Sequence, residues 1–381
     1  MVKKINVGIL FGGKSAEHEV SLESARNVYQ AIDRDKFNPV LIGIDKSGQW
    51  LLQEDACFLL NSRQLREEWL NNGGSPISLV PRGGGNLSFL NGENRVDGGR
   101  KPAEVPVLDV IFPILHGPFG EDGTVQGLLK LAGIPFVGSG VLGSALGMDK
   151  DVMKRLLRDA GIPINKFLAL RSHEKIPPYR EAAELLGSPL FVKPANMGSS
   201  VGIAKVHGPE EYQRAVEEAF RYDSKIVIEE FIRGRELECA VLGNEEVIAS
   251  VPGEVISHHE FYSYDAKYVD EHGAALVIPA QLSEDIREQV KKLAVRTFTC
   301  LCCEGLSRVD LFLRETDMAG GGSAPDILVN EINTMPGFTR ISMYPKLWEA
   351  GGISYTELIS RLIELAISRF QKEQGILTSR I

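Results

Sequence analysis

Ile327-Leu-Val-Asn-Glu-Ile-Asn-Thr-Met-Pro-Gly337 carries the residues that decide the fold. Glu331 and Asn333 stand two apart in an apolar run, so on a β-strand both side chains leave the same face. Asp310, in Ser307-Arg-Val-Asp-Leu-Phe312, can approach from a neighbouring strand. Two carboxylates and an amide oxygen, with positions left open, are what magnesium uses when substrate phosphates complete its octahedron. A solvent-facing polar edge is the alternative. Acids flanked by Val, Leu and Ile on both strands would be costly to bury unpaired, which favours the metal.

Working outward, Lys193-Pro-Ala-Asn-Met-Gly-Ser-Ser-Val-Gly202 follows a buried strand and brings one lysine, two glycines and two hydroxyls together. Such a loop can close its backbone N–H groups over phosphates, although a plain hairpin turn would look similar. A helix over 149–160 places Val152, Met153, Leu156 and Leu157 on one face and is stopped by Gly161-Ile-Pro163. Lys150 at its start is, taken alone, a solvated lysine, and Glu229 with Glu236 could be an exposed strand edge. Toward the N-terminus, apolar runs at 5–10, 39–44, 107–114, 125–131 and 134–137 and a helix near 21–32 give a β-α-β rhythm. Residues 71–101, rich in Gly, Asn and Pro without period, are expected to be a surface insertion. Residues 257–273 form an irregular polar and aromatic segment, and a helix is expected over 283–303.

Composition narrows the function classes. The 381 residues are 43% hydrophobic and 24% charged, an ordinary globular mix sufficient for two or three domains. Forty-two Lys plus Arg against fifty-one Asp plus Glu give a net charge of −9, against a broad footprint for nucleic acid or anionic lipid. Met1-Val-Lys-Lys ahead of the first apolar run lacks a small-residue cleavage site and fits a first strand better than a signal peptide. Residues 131–148 are uncharged but hold five Gly, one Pro and two Ser, so no membrane span is expected. Five cysteines, at 57, 239, 300, 302 and 303, lack a matching metal-ligand pattern and suit reduced thiols in a cytoplasm.

Two short glycine patterns are decoys. Gly8 to Ser15 matches G-x-x-x-x-G-K-S, yet Ile9, Leu10 and Phe11 have the character of strand interior and leave too little loop to wrap a triphosphate. Gly138, Gly140 and Gly143 match G-x-G-x-x-G, but Asp159, where a ribose-binding acid should end the next strand, falls in a helix.

Taken together, Gly12-Gly-Lys-Ser-Ala-Glu-His-Glu-Val-Ser-Leu22, His116-Gly-Pro-Phe-Gly-Glu-Asp-Gly-Thr124, Met148-Asp-Lys150, Lys193 to Gly202, Ala266-Lys-Tyr268, Arg308-Val-Asp310 and Asn330 to Gly337 resemble the D-alanine:D-alanine ligase family of the ATP-grasp superfamily. The resemblance runs in order over about residues 5–365. It implies an α/β (α+β) three-domain ATP-grasp fold: an N-terminal parallel-sheet α/β domain over 1–138, a central domain over 139–233, and a C-terminal domain over 234–381 with the metal site and a lid at 257–273. It implies joining of two D-alanines through an acyl phosphate, for peptidoglycan precursors, with ATP and two Mg2+ (or Mn2+), in a cytoplasmic homodimer.

By the same resemblance, Lys150, Lys193, Ser199 and Ser200 hold ATP phosphates and Lys267 reaches the γ-phosphate. Glu229 and the backbone near Ile232 meet adenine, and Glu236 takes the ribose. Asp310, Glu331 and Asn333 are the metal ligands, with Glu331 bridging. Arg308 and the N–H of Gly337 form the oxyanion site. Glu17 receives the first D-alanine's ammonium beside His116 and Glu121, while Ser342 and the backbone of Met343 clamp the second D-alanine's carboxylate. Tyr268 bridges the lid to Ser199 and Glu17. A neutral phenol there, with a reference pKa of about 10, suits an amine as second substrate rather than D-lactate.

Departures exist. Ser263 replaces the acid expected in the family's Tyr-Asp-Tyr-Glu-Ala-Lys-Tyr loop. Residues 317–325, with Gly320-Gly-Gly, lengthen the turn between the metal strands and should bulge into solvent. The rivals are another ATP-grasp carboxylate–amine ligase, a phosphate-loop NTPase and a nicotinamide dehydrogenase.

Overall fold

The computed structural model describes residues 3–53, 56, 59–60, 74–90, 106–257, 274–314 and 326–377. Three sheets organise them. In the first, β1 (Ile5–Gly12) lies parallel between β2 (Phe37–Ile44) and β6 (Val110–Ile114). Helix α1 (His18–Ala31) makes the crossover from β1 to β2. β1 and β6 are buried on both faces, which explains their unbroken apolar runs. Beyond β2 the sheet continues antiparallel through β3 (Trp50–Gln53), β4 (Gly74–Leu79) and β5 (Leu87–Phe89).

The last two strands fall within the stretch 71–101, expected to be a surface insertion without period, and give its described part a regular structure at the sheet edge. Ile77 and Leu79 are buried while Ser78 between them is exposed, a two-residue alternation hidden in a Gly- and Asn-rich background. Residues 91–101 lie outside the described residues, as do Ser263, the lid residues 258–273 and the lengthened turn at 317–325. Residues 134–137, expected to be a strand, follow helix α2 (Thr124–Ala132) and make only one bridge, Phe136 to Ile111.

The second sheet is antiparallel, in the order β7 (Phe167–Arg171), β10 (Lys225–Glu230), β8 (Leu190–Pro194), β9 (Ala204–Val206). Helices α5 (Tyr179–Leu186) and α6 (Pro209–Ala219) cover one face, and Leu186, Val192, Val216, Ile226 and Ile228 share a core of their own.

The third sheet runs β14 (Ala274–Val277), β13 (Gly253–Ser257), β11 (Gly234–Gly243), β15 (Gly305–Arg314), β16 (Ile327–Asn333), with β12 (Ile248–Ala249) beside β11. On one face Cys239, Val241, Val309 and Leu311 pack against α7 (Glu284–Cys300) and against Met153 and Leu157 of α4 (Lys150–Asp159). On the other, Ala240, Leu242 and Leu306 join α8 (Met343–Ala350), α9 (Tyr355–Gln374) and Val7, Phe112 and Ile114 of the first sheet in one continuous core. Phe338 stands edge-on to Phe112, ring centroids 5.6 Å apart, at this seam.

The helix expected to run to Cys303 ends at Cys300, and Cys302 takes a φ of 53°. Cys239 and Cys303 are buried free thiols whose pKa burial pushes up to about 12, so both are inert. Helix α3 (Val141–Met148) and the loop before it carry the uncharged stretch, and no described helix is long and apolar enough to cross a membrane.

Arg369 pins α9 to the exit of the first sheet. It is 7% exposed, donates to the carbonyls of Gly138 and Phe136 (2.8 Å to the latter), lies 3.3 Å from Glu304, and stacks over the Phe136 ring at 4.7 Å. Arg369→Met strands two buried carbonyls, so it should lower the unfolding free energy by about 2–4 kcal/mol. Urea denaturation with an unchanged m-value checks this, and a loss below about 0.5 kcal/mol would contradict it.

Candidate active site where two clefts meet

The site begins with strand register. β15 and β16 are antiparallel, with Asp310 opposite Glu331 and Arg308 opposite Asn333, and a register shift follows Asp310. Along β15, Val309, Leu311 and Leu313 are buried while Arg308, Asp310 and Phe312 are half-buried, so the polar residues leave the face that lines the clefts. Glu238 on β11 pairs with Asp310, which lines up Glu238, Asp310 and Glu331 across three strands. Adjacent like charges repel, and cations offset them. The Arg308 guanidinium forks onto Asp310 through two hydrogen bonds of 2.7 Å and lies 2.9 Å from Glu238. Lys150 Nζ lies 3.6 Å from Glu331, and Asn333 donates to Asp310 at 3.0 Å.

Asp310, Glu331 and Asn333 are hard oxygen donors gathered on one face, and they fit a divalent cation that takes its remaining ligands from substrate. No group of three or more His, Cys, Asp or Glu is drawn together as a ready coordination set among the described residues. Asp310 would have to exchange part of its Arg308 fork for the metal.

One cleft is lined by Lys150, Lys193, Ser199, Ser200, Glu229, Ile232, Glu236, Asp310 and Glu331. Lys150 donates to the carbonyl of Met197 at 2.7 Å, tying the glycine–serine loop to the start of α4. Lys193 donates to Glu229 at 2.8 Å. Burial opposes the Glu229 charge, but Lys154 and Lys193 outweigh it and hold the carboxyl well below its usual range. Ser199 and Ser200 have φ of 49° and 61°, a left-handed conformation that non-glycine residues adopt at a cost and that recurs at ligand-binding loops.

The second cleft has a volume of about 750 Å³, within the range of small-molecule sites. Its lining includes Glu17, His116, Glu121, Arg308, Asn333, Gly337, Ser342 and Met343. Glu17 stands at the N-cap of α1 without capping it, and its carboxylate instead accepts a hydrogen bond from Ser199. The backbone approaches Glu17 closely: a Cβ at Gly117 (φ 73°) would sit 2.8 Å from its carboxylate oxygen and one at Gly198 would sit 3.0 Å away.

His116 is a strut. Its Nδ1–H donates to the carbonyl of Met335 at 2.9 Å, and Nε2 accepts from Ser24 at 3.2 Å. Ser24 in turn accepts from the N–H of Phe338 at 3.2 Å, so the loop carrying Gly337 is fastened to α1. Burial pushes the His116 pKa down, in keeping with a neutral ring. Burial and the nearby Glu17 charge push Glu121 up to about 8 while its carboxyl accepts from the Gly117 N–H at 3.0 Å. Ser342, at the N-cap of α8, bonds Thr339 rather than the helix, which leaves first-turn N–H groups of α8 uncapped beside Gly337.

The two clefts share Lys150, Met197, Gly198, Ser199, Glu238 and Glu331. The structure therefore brings together every expected site residue except Lys267 and Tyr268, which lie outside the described residues. The strands flanking that segment border the second cleft through Val255 and Leu276.

Four participants went unnoticed in the sequence. Glu238 was legible, being two residues from Glu236 on the same strand face. Lys154 was legible in principle at i+4 from Lys150, but the buried face of α4 is Lys150, Met153, Lys154 and Leu157, rotated from the expected face, with Val152 and Leu156 half-buried. Ser24 and Asn165 carried no local signal.

Family models described as the D-ala D-ala ligase N-terminus and C-terminus match residues 6–139 and 156–364. A D-alanine–D-alanine ligase from Oceanobacillus iheyensis is 50% identical over 378 residues, 99% of each chain. A solved D-alanine-D-alanine ligase from Coxiella burnetii superposes with a TM-score of 0.83 at 37% identity, covering 98% of this chain and 97% of that one. The VanG D-Ala:D-Ser ligase of Enterococcus faecalis superposes at 0.81 with 34% identity, covering 96% of this chain and 100% of its own. This chain therefore belongs to the D-alanine–D-alanine ligase family, enzymes with the ATP-grasp fold.

Proposed function

We propose that the first cleft binds ATP, that the second binds two D-alanines, and that the chain joins them through an acyl phosphate for peptidoglycan precursor synthesis, as a cytoplasmic homodimer. The observation that carries this reading is the sharing of Lys150, Ser199 and Glu331 by both clefts, because phosphoryl transfer needs donor and acceptor in contact.

A carboxylate oxygen is a hopeless leaving group, and phosphorylation turns it into a good one. Lys150, Lys193 and the Ser199–Ser200 loop hold the phosphates, Glu229 and the backbone at Ile232 take adenine, and Glu236 takes the ribose. Asp310, Glu331 and Asn333 would hold two Mg2+, or Mn2+, which supply charge neutralisation and alignment of the γ-phosphoryl group. Glu17, already hydrogen-bonded by Ser199, receives the first ammonium beside His116 and Glu121. Arg308 and the N–H of Gly337 stabilise the oxyanion formed when the second amine attacks. Ser342 and the first turn of α8 hold the second carboxylate. Lys267 and Tyr268 complete the set by resemblance.

The reading is tested by supplying ATP and Mg2+ with D-alanine, D-serine, D-lactate and L-alanine together and separately. Phosphate release should require D-alanine, and D-alanyl-D-alanine should dominate the mixture. Phosphate release without D-alanine, or a predominant ester of D-lactate, contradicts it. Glu331→Gln should lower kcat by about 10²–10³-fold or more with an unchanged thermal transition. A folded variant with near-normal turnover would remove Glu331 from the metal site.

The Glu121 carboxyl, raised to about 8, is mostly protonated near pH 7. An ammonium placed beside it favours the charged form and lowers that value. Binding of D-alanine at pH 7 should therefore release a fraction of a proton, seen as a calorimetric enthalpy that depends on the buffer's ionisation heat. Glu121→Gln should abolish the buffer dependence, and proton uptake by the wild type would refute the assignment.

A further inference from the structure

Lys154 has no part in the chemistry above, yet it is fully buried in the wall between the first cleft and the metal strand. Burial pushes its pKa down and the neighbouring Glu229 works against that shift, so its charge depends on compensation. Its Nζ lies 3.2 Å from Glu229 Oε1, donates to Asn165 Oδ1 at 2.6 Å, and donates to the carbonyl of Asn330 at 3.2 Å. Asn165 Nδ2 donates in turn to Glu229 Oε2 at 3.2 Å, the oxygen that also accepts from Lys193 at 2.8 Å. Two lysines therefore share the Glu229 carboxylate, and the second of them, Lys193, faces a cleft also lined by Glu236 and Glu331.

The two lysines are not equivalent. Lys154 is fixed by partners from three places: the segment before β7, strand β10, and strand β16 one residue before Glu331. Lys193 lies near the end of β8, its side chain is 11% exposed, and among the described residues its ion pair is with Glu229. Burial works against the Lys193 charge, but Glu229 and Glu331 hold its pKa above the ordinary value, so it is a cation at the cleft wall. Without Lys154, turning Lys193 toward an incoming anion would strand Glu229 as an uncompensated buried charge. With Lys154 in place, Glu229 stays neutralised whichever way Lys193 points.

We infer that Lys154 is a positioning residue, the resident counter-ion of Glu229, oriented by Asn165, which frees Lys193 to bind the phosphates of the nucleotide. The assignment rests on the nucleotide reading of the first cleft.

The test is calorimetric binding of ADP and of adenosine, without turnover, to the wild type, Lys154→Met, Glu229→Gln and the double variant. The ratio of ADP to adenosine affinity isolates the phosphate contribution from contacts to the base. Lys154→Met should lower that ratio by about tenfold or more and, in a separate turnover assay, leave the KM for D-alanine within about twofold. Adding Glu229→Gln removes the charge that needs compensation, so the double variant's ratio should return to within about threefold of wild type. Equal weakening of ADP and adenosine, or a double variant whose ratio stays tenfold low, overturns the assignment. If Lys154→Met does not fold, the double variant, which removes the Lys154–Glu229 ion pair as a unit, decides alone by the same threshold. A wild type that binds neither ADP nor adenosine would instead bring down the nucleotide reading, and this assignment with it.

Discussion

The antiparallel register of β15 and β16 is the constraint on which the site depends. It sets Asp310 against Glu331 and Arg308 against Asn333, and through β11 it adds Glu238 to the row. A slip of one residue would send every one of these side chains to the opposite face, into the core of Cys239, Val309 and Leu311. The register is secured because that opposite face is apolar and buried, so hydrophobic packing behind the sheet fixes the carboxylates in front. The acids then require cations, and the chain supplies Arg308 and Lys150 at the front of the row.

Around this row the cores divide unevenly. The first and third sheets share one apolar core, with Phe112 and Phe338 in contact across the seam and Arg369 tying α9 to the carbonyls at 136 and 138. The four-stranded sheet keeps a separate core. Named contacts from it to the rest of the site are polar: Ser199 to Glu17, Lys150 to the Met197 carbonyl, and Lys154 to Glu229. The first cleft lies along this polar boundary, where a ligand can exchange hydrogen bonds without disturbing an apolar core.

The common face of Asp310, Glu331 and Asn333 was legible because its signal is local: parity along a strand and acids among aliphatic residues. The glycine–serine loop and helix α4 were legible through glycine, serine and 3.6-residue periodicity, and the family motifs pointed to Glu17, His116 and Ser342. What escaped depends on tertiary partners. Strand β4 exists because the edge of β3 offers it hydrogen bonds and a place to bury Ile77 and Leu79, and β5 pairs in turn with β4. Lys154 belongs in the core only because Glu229, Asn165 and the Asn330 carbonyl, far apart in sequence, converge on it. Ser24 acquires its function from a histidine and a loop that reach it only in the folded chain.

The central claim is that the two clefts form one chamber in which the terminal phosphoryl group of ATP passes directly to a D-alanine carboxylate. D-alanine carrying oxygen-18 in its carboxylate tests it most directly, by mass analysis of the inorganic phosphate released during synthesis. Direct transfer followed by amine attack predicts one labelled oxygen in each phosphate formed. Phosphate released free of label, with dipeptide still produced, would contradict the account.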